Sequence, residues 1–221
     1  MKRVIERTDD GSATLYVPQL DEHYHSVKGA HTESQHIFID MGLRASVVEE
    51  PCVLEVGFGT GLNALLTMKE AMAVQRRVLY TGIELYPLAW EEIQPLGYST
   101  HPLFEQLHCV PWEETINISP QFALRKVKAD VNVFLQETKE RFDVVYYDAF
   151  APEKQPEMWS EALFARLYGV MNKGGVLTTY CAKGVVRRML QQIGFRVERL
   201  PGPPGGKREI LRAIVPDVCD Y

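Results

Sequence analysis

The sequence predicts an α/β fold: a mostly parallel sheet of seven strands with helices on both faces and an antiparallel hairpin at one edge, behind an N-terminal extension. Three observations predict it. Short apolar runs bounded by Pro or Gly recur from residue 51 onward, as strands buried on both faces do. Stretches with helical spacing separate them, and strand–helix alternation makes a parallel sheet. The last two strands are instead joined by Pro201-Gly202-Pro203-Pro204-Gly205-Gly206, with no helix between them, which makes a hairpin.

Residues 1–48 are polar, with two strand-like pieces, 13–17 and 36–39, and form the extension. Residues 49–221 form the α/β domain. Cys52-Val53-Leu54-Glu55-Val56 is its first strand, and Leu62 to Ala73, rich in Leu, Ala and Met, its first helix. A strand over 78–83, a helix over 102–114, a strand over 122–127 and a helix over 131–141 follow. Next come a strand over 142–147, a helix over 160–171 opened by Ser160 as its cap, and a strand over 176–180. A helix over 185–193 closes at Gly194, and strands over 195–200 and 209–215 complete the set.

The chain has 221 residues, 46% hydrophobic and 24% charged, which suits one folded domain and excludes collagen-like or wholly disordered classes. No apolar run approaches the ~18 residues of a membrane helix, and the first ten residues carry no apolar signal core. Cys52, Cys109, Cys181 and Cys219 form no C-x-x-C pair, so reduced thiols in a cytoplasmic setting are expected.

Leu54-Glu55-Val56-Gly57-Phe58-Gly59-Thr60-Gly61-Leu62-Asn63 follows a predicted strand and opens a predicted helix. Glycines there permit a tight turn and let backbone N–H groups approach a ligand. The spacing is E-x-G-x-G-x-G. A dinucleotide loop reads G-x-G-x-x-G, and an acid before its glycines would repel a pyrophosphate. The segment resembles the loop of class I S-adenosylmethionine-dependent methyltransferases, which have a Rossmann-like fold. Under that resemblance Glu55, Gly57, Gly59, Gly61 and Asn63 belong to the site of S-adenosyl-L-methionine. Glu84, at the end of the second strand and 23 residues after Gly61, suits the ribose hydroxyls. Asp130 either meets the adenine amino group or caps the helix that follows it.

Asp148 ends the fourth strand, where ligands of open α/β sheets bind, and is the candidate catalytic residue. Phe150 and Trp159 are candidate platforms for a flat substrate. The run Tyr147-Asp148-Ala149-Phe150-Ala151-Pro152-Glu153-Lys154-Gln155-Pro156-Glu157-Met158-Trp159 resembles the D-G/A-F-A-P-x-x-N/Q-P-x-M-W signature of one family. That family is the methyltransferase module of the tRNA 5-methylaminomethyl-2-thiouridine biosynthesis bifunctional protein. Gly29 to Phe38, Val185 to Leu190 and Gly205-Gly206-Lys207-Arg208-Glu209-Ile210-Leu211 match further pieces. The resemblance implies methylation of the aminomethyl group at the tRNA wobble uridine. The family continues into a flavin-dependent oxidase domain; no second glycine motif occurs before Tyr221, so a stand-alone methyltransferase supplied by a separate oxidase or other upstream enzyme is expected.

An alkyl amine resembles Lys, with a pKa of ~10.4, and a carboxylate at ~3.9 is a poor base for it. The gap is about 6 units, roughly 8–9 kcal/mol, so Asp148 is expected to orient the amine more than to accept its proton. Between Lys183 and Arg212, eight basic residues face two acids. This segment is +6 and leaves −11 elsewhere in a chain of net charge −5. Lys183, Arg187, Arg188, Lys207 and Arg208 are the candidate contacts to phosphates of a tRNA anticodon arm. Neither DNA nor a membrane is an expected partner. His23, His25, His31 and His36 lack metal-ligand spacing, so no metal is expected. Their stretch, with Tyr24, Glu33 and Ser34, is expected to fold over the crevice. Other readings are N-methylation of a small amine or protein, a cofactor-binding module without catalysis, and, least favoured, a dinucleotide oxidoreductase.

Overall fold

The computed structural model describes residues 2–217. An N-terminal antiparallel sheet joins β1 (Val4–Arg7), β2 (Ala13–Val17) and β3 (Glu22–His23). A short helix α1 (Ala30–Ser34) runs into a π-helical turn over Gln35–Asp40. The apolar run within 36–39, expected as a strand, is therefore helical. Ile37, Phe38 and Ile39 are all buried, so their continuous apolarity reflects burial rather than strand pairing.

The main domain comprises β4 (Cys52–Val56), α2 (Leu62–Ala73), β5 (Val78–Ile83), α3 (Trp90–Ile93), α4 (Pro102–Cys109), β6 (Thr115–Ser119), β7 (Phe122–Val127), α5 (Val131–Glu137), β8 (Phe142–Tyr147), α6 (Glu161–Val170), β9 (Met171–Thr179), α7 (Gly184–Ile193), β10 (Arg196–Pro201) and β11 (Glu209–Ile214). The sheet order is β10-β11-β9-β8-β4-β5-β7-β6, eight strands rather than the expected seven. The additional strand is β6, antiparallel to β7 at the edge. Its pattern is polar and half-exposed, so it carries no apolar run to announce it. Helix α4 stops at Cys109, short of residue 114, because Pro111 cannot continue it and holds Val110 before it extended. The β9, β8, β4, β5 and β7 core is parallel, and the β10–β11 hairpin joins β9 antiparallel.

Alternation along each strand divides the core. Val53 and Tyr146 point toward α2 and the π-helical turn; Leu54, Val56 and Tyr147 point toward α5, α6 and α7. Ser160 caps α6 by accepting from Leu163 N. Strand β4 lies between β5 on one flank and β8 on the other, so the strand order runs outward in both directions from it. A crevice opens at such a reversal, beyond the carboxyl ends of the strands. Among the described residues no helix is long and apolar enough to cross a membrane.

Candidate active site

The loop after β4 turns sharply because three of its residues take positive φ: Gly57 at +91°, Gly59 at +47° and Gly61 at +70°. A Cβ on Gly57 would stand 2.7 Å from the Asp148 carbonyl oxygen, so the loop and the end of β8 are packed backbone to backbone. The amides of Gly57 and Phe58 both donate to the Ile83 carbonyl, at 3.1 and 3.0 Å, which ties the loop to β5. Glu84 then closes the arrangement. Its Oε2 accepts from Gly59 N at 3.0 Å and its Oε1 from Tyr86 N at 2.8 Å.

These elements border a cavity of about 420 Å³, within the range of small-molecule sites. Gly57, Gly59, Asn63, Glu84, Asp130 and Asp148 all line it. Asp130 caps α5, its Oδ1 accepting from Asn132 N at 2.7 Å, and also faces the cavity. Glu55 does not reach it. Its side chain faces the α2 side of the sheet, in register with Tyr146, and is fully buried. Burial raises its pKa well above the usual carboxylate range, against Tyr80 and the hydrogen bond from Asn63, which lower it.

Asn63, in the first turn of α2, links the two acids. Its Nδ2 donates to Glu55 Oε1 at 2.9 Å and to Asp148 Oδ2 at 2.8 Å. Burial pushes Asp148 up to about 7, against the opposing hydrogen bond from Asn63; the Glu33 charge raises it further and Lys207 lowers it.

A second cavity of about 300 Å³ adjoins the first. Tyr24, His25, Asp148, Ala149 and Phe150 line both and form the seam between them. Tyr24 and Phe150 meet edge to face with ring centroids 5.2 Å apart. Buried His25 is pushed down to about 4 by desolvation and shares a 2.7 Å hydrogen bond with Thr60 of the glycine loop. The far wall of the second cavity carries Glu33, Tyr180 and Lys207.

Two expectations change. Trp159 is not a platform: it is 6% exposed, packs against Tyr147, Phe164 and Tyr180, and donates from Nε1 to the Phe150 carbonyl at 2.8 Å. An indole on an apolar 3-10 turn finds more surface to bury beneath the loop than on it. The basic segment is not one free face. Lys183 pairs with Glu153, Arg199 with Glu209, Arg212 with Glu198 and Lys207 with Glu33. Arg187, Arg188 and Arg208 have no carboxylate in ion-pair range among the described residues.

The histidines are dispersed: His23 meets Glu6, His25 meets Thr60, and His36 meets the Pro201 carbonyl. Cys52, Cys109 and Cys181 are free thiols, and Cys219 lies outside the described residues. His25 lies in the stretch expected over the crevice and does line the cavity, whereas Arg3 and Lys154 were not singled out as cavity residues. Their sites depend on long-range packing, and neither belongs to a recognisable spacing.

A parallel sheet with a glycine turn after its first strand, an acid ending the next strand and a cavity between them defines a methyltransferase of the class I fold. The chain belongs to the S-adenosyl-L-methionine-dependent methyltransferase family, whose pattern it matches over residues 99–216. It is similar to the tRNA 5-methylaminomethyl-2-thiouridine biosynthesis bifunctional protein MnmC of Leptospira borgpetersenii, 31% identical over 87% of this chain and 32% of that protein. The protein of the same name from Cupriavidus metallidurans is 31% identical over 96% of this chain and 34% of its own length. The chain thus spans about a third of these curated relatives. Among solved structures, MnmC2 from Aquifex aeolicus superposes with a TM-score of 0.80 and 25% identity, covering 97% of this chain and 70% of that one. A methyltransferase from Pyrococcus furiosus shares the fold, with a TM-score of 0.53, 18% identity and 91% of each chain covered.

Proposed function

We infer that this chain methylates the primary amine of 5-aminomethyl-2-thiouridine at the tRNA wobble position, giving 5-methylaminomethyl-2-thiouridine. The observation that carries the reading is the position of Asp148 on the seam of two adjoining cavities. One cavity suits a nucleoside cofactor and the other an acceptor. The names of the MnmC relatives support the choice of acceptor.

The residues present fit S-adenosyl-L-methionine. A Cβ on Gly57 or Gly59 would close the cradle, against Asp148 or Tyr24 respectively, and Glu84 is fixed with both oxygens bonded to backbone amides. In this reading Gly57, Gly59, Glu84 and Asp130 hold the cofactor; Gly61, expected among them, lies off the cavity against His108 and shapes the turn into α2, while Glu55 and Asn63 act on the site by positioning Asp148. When bound, the cofactor supplies a methyl group on a positively charged sulfur. Asp148 aims the acceptor nitrogen and takes a proton from it. With the carboxyl at about 7 rather than 3.8, the gap to an alkyl ammonium shrinks to about 3 units, roughly 4–5 kcal/mol. Proton acceptance by Asp148 therefore joins orientation as part of its role. Phe150 and Tyr24 wall the seam against water. Arg187, Arg188 and Arg208 meet tRNA phosphates. The domain division at residue 48 belongs to the same proposal: the extension supplies the wall of both cavities. The enzyme works in the cytoplasm, on an amine delivered by an upstream enzyme such as a separate oxidase.

A second reading, N-methylation of a small amine or protein, is favoured by the acids that already pair Lys183, Lys207, Arg199 and Arg212. Labelled S-adenosylmethionine and two tRNA pools, with and without wobble 5-aminomethyluridine, separate the two. Label in the first pool alone supports the tRNA reading. Label in neither pool, with the cofactor bound, overturns it.

A further inference from the structure

The second cavity already contains a primary ammonium. Lys207 reaches it from the glycine-rich connection between β10 and β11, and its Nζ pairs with Glu33 across 174 residues of sequence. The same Nζ stands 4.5 Å from the ring centroid of Tyr180, close enough for a cation–π contact. Glu33 is 9% exposed and fixed from its other oxygen, Oε2 accepting from Ser26 N at 3.1 Å. Asp148 faces the same space. A buried carboxylate left without a counter-charge is costly, and Lys207 supplies one. An ammonium on an alkyl stem, seated on a carboxylate and an aromatic face, has the same chemistry as the acceptor in the reading above.

We propose that Lys207 holds the ammonium subsite of the acceptor cavity while it is empty, and that a cationic amine acceptor displaces it and takes Glu33 as its own counter-ion. Glu33 is then a specificity-determining residue. It selects acceptors that carry a positively charged amine and disfavours neutral or carboxylate-bearing ones. The connection that carries Lys207 is a loop with two backbone bonds of its own, from Gly202 N to the Arg208 carbonyl and from Gly206 N to the Pro203 carbonyl. Gly205 has φ +72° with open space where a Cβ would stand, and all five residues from 202 to 206 lie outside strand and helix. Once displaced, Lys207 joins Arg208 at the rim.

This inference rests on the second cavity being the acceptor site, and its test uses no RNA and no methyl donor. The probe is propylammonium chloride, added to the whole protein labelled with [ε-13C]lysine. In the free protein the Lys207 ε-methylene signal, assigned by its loss in Lys207→Arg, is shifted upfield by the Tyr180 ring. Propylammonium should move it to the position of solvent-exposed Lys28. Calorimetry should show Lys207→Met binding the probe about tenfold more tightly, because an internal competitor is gone. Glu33→Gln should bind it at least tenfold more weakly. A Lys207 signal that stays in place at high probe concentration overturns the proposal, as does a Glu33→Gln variant that binds like the wild type. If Lys207→Met does not fold, the signal in the wild-type protein decides. A protein that passes this test yet leaves tRNA unlabelled has lost the tRNA reading and kept this one.

Discussion

Asn63 and Asp148 are 85 residues apart in sequence and meet at 2.8 Å, through the same amide nitrogen that donates to Glu55 at 2.9 Å. One carboxamide thus links the Asp148 carboxyl to the buried Glu55 acid beneath the glycine loop. A hydrogen bond to a charged acceptor contributes about 1.5–3 kcal/mol. Asn63→Ala should therefore lower kcat by roughly 10- to 100-fold. The midpoint of its pH–rate profile should also move upward, since the bond favours the ionised form of Asp148. An unchanged midpoint, with kcat reduced, would reduce Asn63 to a packing role.

In the proposed mechanism Asp148 works in its ionised form, so the rate should rise with pH through about 7 and then level off. The same residue should cost stability. Its folded pKa lies above the unfolded value of 3.8, so the native state binds the proton more tightly. The penalty is absent below pH 4, grows as pH rises toward 7 and is complete above that. Its ceiling is about 4 kcal/mol, less to the extent that the cavity holds water. Asp148→Asn should lose methyl transfer while melting higher than the wild type at pH 8, with the difference vanishing at pH 4. Chemical denaturation at the two pH values checks this.

Gly57→Ala should be far more damaging than Gly59→Ala. At Gly57 the added methyl meets a backbone oxygen at 2.7 Å, which cannot move without shifting β8. At Gly59 it meets the Tyr24 ring at 3.1 Å, a side chain able to yield. Both pay about 1–3 kcal/mol for left-handed backbone. Gly57→Ala should also abolish cofactor binding by calorimetry, whereas Gly59→Ala should weaken it.

The salt dependence of tRNA binding should respond to Arg187→Ala and Arg188→Ala, each reducing the slope of log K against log salt by about 1. Arg199→Ala and Arg212→Ala should leave that slope unchanged, because Glu209 and Glu198 already neutralise them. Filter binding across a salt series measures all four.

Legibility in the sequence followed the range of the forces involved. The parallel strands were visible because burial on both faces writes an apolar run, as in residues 142–147, where every residue is buried. The edge strand Thr115–Ser119 was not, since one exposed flank removes that signal. The glycine turn, Glu84 and Asp148 follow from local spacing and strand ends. The raised pKa of Glu55 depends on what covers it, and the pairing of Glu33 with Lys207 on a topology that returns the last hairpin to the first helix. Phe150 and Trp159 have the same aromatic character in one loop, but only Phe150 faces the cavities.

The two cavities draw on different portions of the chain. The residues of the larger one lie no further along than 158, whereas the smaller is unfinished without Tyr180 and Lys207. During synthesis from the N-terminus, strand pairings at such long range form late. The lining of the donor cradle is therefore all synthesised before any of the last hairpin, whereas the acceptor cavity has to wait for it.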